Sequence, residues 1–281
     1  MTTATLSLSA TRAAAPVKPR RLGVRAAKLT VGLVVLAAVL HLDIGWSDLA
    51  ELPADLRHYL DLMFAHPDWS RLPAAFYQTW VSVSMAWVGA VLGVVASTIL
   101  GIPAAQGVAP LWVRLPLRGL FAVLRAVPEV IIAIILLTVT GLTPFTGALA
   151  LAVGGIGTHG KWTYETIEAV PAGTAEAVRA AGGNVLEVAR WGLWPAAAPE
   201  LMSLALYRFE INVRTSAILG LIGVGGVGDM LTGYTQYRQW DSVGVLIIVV
   251  IAVTMTIDAI SGAIRRRIMR GARARDLDRT V

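Results

Sequence analysis

Long apolar runs alternate with short polar stretches along this chain, and most of the runs are long enough to cross a bilayer as helices. A hydrocarbon core of about 30 Å needs about 20 apolar residues in helical form. Six runs meet or approach that length, at residues 26–44, 78–101, 119–142, 146–160, 199–222 and 241–264. The predicted fold class is all-α, a polytopic membrane protein with about six transmembrane helices. One polar island, residues 161–200, interrupts the runs. Inside it Val178, Ala181, Val185 and Val188 recur at intervals of three and four, while Glu176, Arg179, Gly183, Glu187 and Arg190 share another face. A single apolar stripe packs one side of a helix and leaves the other to water or a partner. Thr174 is the expected N-cap, and Gly182-Gly183 weaken the helix by about 1 kcal/mol each relative to alanine. The pattern predicts two short helices bending at these glycines, with Pro195 and Pro199 interrupting or starting the next helix.

Composition fixes the compartment. Of 281 residues 56% are hydrophobic and only 15% charged, with a mean hydropathy of +0.67, whereas soluble domains carry about a quarter of charged residues. The absence of cysteine excludes disulfides, thiolate metal sites and cysteine nucleophiles. A net charge of +6 lies beside apolar runs and therefore points to anionic membrane rather than nucleic acid. Residues 1–25 read as a flexible cytosolic tail, followed by an uncleaved first span within a membrane domain over 26–267. Asp48, Glu51, Asp55, Asp61 and Asp68 place the next stretch outside, with a short surface helix over 48–64. Arg114, Arg118 and Arg125 return the chain to the cytosol, and Arg265, Arg266 and Arg267 open a basic cytosolic tail over 268–281. Both termini are thus expected in the cytosol. The histidines are too scattered for a metal site, and none is expected.

Several polar residues fall inside the apolar runs. Pro128 and Glu129 near the start of the third run predict a bent or re-entrant beginning that faces protein or water. The fourth run, with Gly147, Gly154, Gly155, Gly157 and Gly160, suits the inside of a bundle. Arg208, Glu210 and Arg214 in the fifth run must be paired or wetted. Their spacing favours a Glu210–Arg214 contact and sends Arg208 elsewhere around the helix. The glycines beyond them, including Gly225 and Gly226, lack a phosphate-loop lysine and read as close-packing or gate backbone.

Glu176-Ala177, Gly182 six residues after the glutamate, and Pro195 thirteen after the glycine resemble the cytoplasmic E-A-A-x3-G-x9-I-x-L-P signature of ABC importer permease subunits. Val178, Gly192 and Trp194 depart from it. Residues 206–228, LYRFEINVRTSAILGLIGVGGVG, are similar to the corresponding segment of the phosphonate-type importer permeases, and the likeness spans residues 78–267. The resemblance implies an ABC type I importer permease fold whose coupling loop, 161–195, docks a separate ATPase through Glu165, Glu176, Ala177, Arg179, Gly182, Glu187 and Pro195. It also implies a second copy of the permease, two ATP-binding subunits and an extracytoplasmic phosphonate- or phosphate-binding protein. The chain itself is not expected to be an enzyme or to hold a cofactor, and ATP and Mg belong to the partner. Pro128, Glu129, Arg208, Glu210, Arg214, Gly225 and Gly226 are the implied translocation or gating residues. Import of another small solute or anion, or a non-transport membrane scaffold, remains the alternative.

Overall fold

The structure is a computed structural model that describes residues 22–42 and 45–279. Most of the expected N-terminal tail lies outside the described residues. The chain divides into two compact units, residues 1–56 and 57–281. In the first, α1 (Leu22–His41) carries the expected apolar run and begins a turn before residue 26, and α2 (Trp46–Phe64) starts as the surface helix expected over 48–64.

The second unit contains the end of α2 and then, after a 3-10 turn at Trp69–Arg71, α3 (Leu72–Ala104), α4 (Leu111–Ala126), α5 (Glu129–Thr140) and α6 (Pro144–Glu168). The polar island comes next as α7 (Ala172–Ala180), the single turn α8 (Val185–Glu187) and a π-helical stretch, Val188–Leu193, that runs straight into α9 (Trp194–Leu219). A second π turn at Gly220–Val224 leads to α10 (Val227–Gln236), and α11 (Trp240–Arg279) is the last element. No strand occurs among the described residues.

Trp69–Ala104 and Trp240–Gly271 are each long and apolar enough to cross a membrane alone. Two further candidates are bent pairs: α4 with α5 at 92°, and the stretch Val185–Val224 with α10 at 56°. The break expected at Pro128 is thus deeper than a kink, because proline biases the preceding Val127 to an extended conformation and cannot donate its own N–H. The fourth run is a helix of 25 residues rather than the expected stretch over 146–160, since Lys161 pairs with Glu165 one turn later and the polar residues continue the helix. The expected C-terminal tail is also helical at least to Arg279.

Helix α6 sits inside the bundle, as its glycines predict. Against α3 the backbones approach so closely that a Cβ on Gly89 would lie 2.7 Å from the Leu151 Cβ, and one on Gly93 2.9 Å from the Ala152 carbonyl. Around this seam Met85, Ile132, Ala148, Leu151, Leu219 and Val224 form an apolar cluster. The glycine-rich segment folds back on it: Gly223, Gly225 and Gly226 take φ of 89°, 93° and 80°, a region that side-chain-bearing residues rarely enter. Ser82 of α3 accepts the Val227 N–H at 2.9 Å and so satisfies a free donor at the start of α10.

Candidate functional site

Two groups of residues stand out, one inside the bundle and one at the end that carries α7. In the first, Arg208 of α9 is only 4% exposed and pairs with Glu129 of α5. The bend at Val127-Pro128 puts Glu129 at the first position of α5, where a carboxylate also complements the positive end of the helix dipole. Room for the pair comes from α6: a Cβ on Gly154 would lie 2.5 Å from the Glu129 Cγ, and one on Gly155 3.2 Å from the Arg208 Nε. Arg208 also donates to the Leu151 carbonyl at 3.3 Å. His159, one turn further along α6, is fully buried, and neither ring nitrogen has a hydrogen-bond partner among the described residues. Asn212, one turn beyond Arg208 on α9, donates to the Ala86 carbonyl at 3.4 Å and leaves its Oδ1 unpartnered among those residues. These three helices therefore share a polar seam in an otherwise apolar interior.

The expected Glu210–Arg214 contact is absent. Glu210 accepts instead from Arg265 of α11, and Arg214 donates to Asp258 of α11 at 2.9 Å. Helix spacing permits an i,i+4 pair worth a few tenths of a kcal/mol, but a neighbouring helix with its own opposite charges offers each side chain a separate partner. Arg265, expected to open the basic cytosolic tail, thereby becomes the counter-ion of a buried glutamate. Gly226 is buried against Ser82 and Met85 of α3, whereas Gly225 lies under Pro144. Pro128 is exposed beside the bend.

The second group is the island. Glu165, Glu176, Ala177, Arg179, Gly182, Glu187 and Pro195 are all exposed. The bend falls at the predicted glycines, with Gly182 at φ +87°. Details differ from the expected pattern. Pro171 rather than Thr174 is the N-cap of α7, and Thr174 lies inside the first turn. The apolar stripe does not continue across the bend, since Val188 is buried while Val185 is 55% exposed. The second short helix is capped by its own box: Asn184 accepts from the N–H groups of Leu186 and Glu187, and Glu187 accepts the Asn184 N–H at 2.7 Å. Gly192 lets the π-helical stretch lie against Thr174 and Val178 of α7. A mostly apolar cavity of about 280 Å³ lies behind it, lined among others by Ile102, Val108, Leu186 and Trp194.

Sequence reasoning passed over Asp258, Asn212 and Glu168. A lone aspartate within the sixth apolar run was a readable signal for Asp258. Glu168, at the end of α6, binds Arg118 of α4, and nothing in its spacing announces that partner.

Residues 97–270 match the family described as binding-protein-dependent transport system inner membrane component. The chain is 36% identical over 192 residues to the phosphate-import permease protein PhnE of Mycolicibacterium smegmatis, an alignment spanning 67% of this chain and 36% of that protein. It is 33% identical over 196 residues to the phosphite transport system permease protein PtxC of Stutzerimonas stutzeri, covering 68% of this chain and 71% of that one. Among solved structures, the inward-facing MetNI methionine ABC transporter contains a chain similar at a TM-score of 0.61 and 21% identity, over 69% of this chain and 95% of that one. That last likeness concerns the fold.

Proposed function

Since the chain belongs to the binding-protein-dependent transport system inner membrane components, we propose that it is the permease subunit of an ATP-driven importer for small phosphorus oxyanions such as phosphate, phosphite or a phosphonate. The observation that carries the substrate class is its relation, over about two thirds of its length, to permeases named for phosphate and for phosphite. Two copies would enclose the path, an extracytoplasmic binding protein would deliver the anion, and two ATPase subunits would dock on the exposed island around Glu176 and Gly182. ATP and Mg would reside in those partners. The protein would sit in the cytoplasmic membrane with both termini inside.

Chemistry at the Arg208 pair supports the anion reading. A guanidinium offers planar, charged donors suited to a tetrahedral oxyanion, and its Nε has no partner among the described residues. Glu129, with its side chain 20% exposed, competes for the same guanidinium. Such competition keeps anion binding weak, which release requires.

The reading is tested in proteoliposomes containing the permease, its ATPase and its binding protein. Uptake of radiolabelled phosphate, phosphite or methylphosphonate should depend on both ATP and the binding protein, with sulfate as the control. Accumulation of none of the three, or of sulfate alone, would overturn it.

A further inference from the structure

At the end of the bundle that carries α7, one arginine joins three elements. Arg118 of α4 donates from both Nε and Nη2 to the Ala104 carbonyl, each at 2.9 Å, and also binds Glu168. Ala104 is the last residue of α3, so its carbonyl lacks an intrahelical donor and lies at the negative end of the helix dipole. Glu168 is the last residue of α6, where a carboxylate is disfavoured by that helix's own dipole unless a cation offsets it. The same carboxylate accepts the Gln106 N–H at 2.7 Å. The guanidinium lies over the Tyr164 ring, 4.3 Å from its centroid, and Tyr164 stacks in turn on the buried Phe121 of α4. A forked guanidinium can hold a carbonyl and a carboxylate at once, which a lysine cannot reproduce.

This clamp lies between α7 and the buried ion pair. Only Ala169, Val170 and Pro171 separate Glu168 from α7. From the other side, Arg179 of α7 reaches the loop after α3, its Nη2 lying 3.9 Å from where a Cβ on Gly107 would be. Ala105, Ile167, Ala197 and Leu201 fill the apolar side of that loop. Helix α4 then leads from Arg118 to the 92° bend and directly to Glu129, the partner of Arg208.

We propose that Arg118 and Glu168 are positioning residues that carry a displacement of α7 into α4 and so to the Glu129–Arg208 pair. The proposal rests on the importer reading. With the clamp closed, α7, the ends of α3 and α6, and α4 move as one body. With it broken, α7 shifts without moving Glu129, and ATP hydrolysis proceeds without gating.

The test uses the full complex in proteoliposomes with phosphate, phosphite or methylphosphonate, whichever the wild type imports. Arg118→Met, Arg118→Lys and Glu168→Gln should keep ATPase co-purification and hydrolysis, while anion imported per ATP falls about fivefold or more, the scale of ordinary coupling between sites. The double variant Arg118→Met/Glu168→Gln should be no worse than either single change, because the two residues act as a unit. A purely structural role would lower folded yield and leave the import-to-hydrolysis ratio unchanged. A second readout uses spin labels on cysteines placed at Val123 of α4 and Leu186 of α8, both well exposed at 62% and 76%. ATP should leave their separation unaltered in the otherwise wild-type complex, where the two elements move as one body, and alter it with Arg118→Met. Wild-type import per ATP in the single variants, an ATP-driven change of separation in the otherwise wild-type complex, an unaltered separation with Arg118→Met, or loss of assembly with Glu168→Gln would each overturn the proposal. A wild-type complex that imports none of the anions would instead sink the importer reading.

Discussion

Glu210 is held by Arg265, 55 residues further along the chain, and not by Arg214 one turn away on its own helix. The pairing joins α9 to α11 and makes a specific pattern of rescue. Arg265→Met strands a carboxylate that is 9% exposed and should cost about 3–5 kcal/mol, the usual penalty for leaving a buried charge unpaired. Glu210→Gln should recover most of that loss, whereas Asp258→Asn should not. The reverse holds for Arg214→Met, which Asp258→Asn should relieve and Glu210→Gln should not. Thermal unfolding of the purified variants in one detergent decides between this pairing and an intrahelical one.

Glycines on α6 and α4 should respond oppositely to the same change. Gly154→Ala drives a methyl group into Glu129 and should destabilise by about 1–3 kcal/mol, the ordinary range for overpacking. Gly119 lies within α4 with nothing within 4 Å of an added Cβ. There alanine should stabilise by up to about 1 kcal/mol through helix propensity. Equal melting shifts for the two variants would contradict the packing described for α6.

At the bend of the island the cost of substitution is conformational rather than steric. A Cβ on Gly182 meets open space, but its φ of +87° is disfavoured for residues with side chains. Gly182→Ala and Gly182→Leu should therefore lose similar stability, about 1–2 kcal/mol, while Gly182→Asn, which tolerates that region, should lose less. At Gly183 the order is set by contact instead, because a Cβ would lie 2.8 Å from the Val178 carbonyl. A size-dependent series at Gly182, read by thermal unfolding and ATPase co-purification, would reject this account.

Asp68 caps the 3-10 turn before α3 and carries the pH dependence of that corner. Hydrogen bonds from Ser70 hold its carboxyl below the usual aspartate range, with Arg71 adding to the effect. A group depressed in the folded state stabilises above its unfolded pKa and loses that contribution as pH falls through the folded value. The stability difference between wild type and Asp68→Asn should thus be full near neutral pH and shrink on acidification below the usual aspartate pKa of about 4. A difference that stays constant from neutral pH to pH of about 3 would show that the carboxylate contributes nothing there.

Helical content was legible because long apolar runs leave few other options in a bilayer. The bend at Gly182 and the break at Pro128 were legible because glycine and proline act on the backbone locally, whatever packs around them. The fourth helix was read short because His159 and Lys161 looked like its cytosolic end, although Lys161 pairs with Glu165 one turn later and the helix continues. Partners across helices were not legible. Spacing along α9 suggests Arg214 for Glu210, and only the packing of α11 brings Arg265 and Asp258 into reach. The π-helical stretch at Val188–Leu193 carried no local signal either; Gly192 shows its purpose only when α7 lies against it.

Arg208, Glu210 and Arg214 are each matched by an opposite charge on another helix, so the six side chains sum to zero. A gating motion that carries these pairs intact displaces no net charge through the electric field of the membrane. Voltage then gives it no bias, whereas pulling one unit charge across the full field would involve about 2.3 kcal/mol per 100 mV. These three pairs would then contribute no charge movement of their own to a turnover.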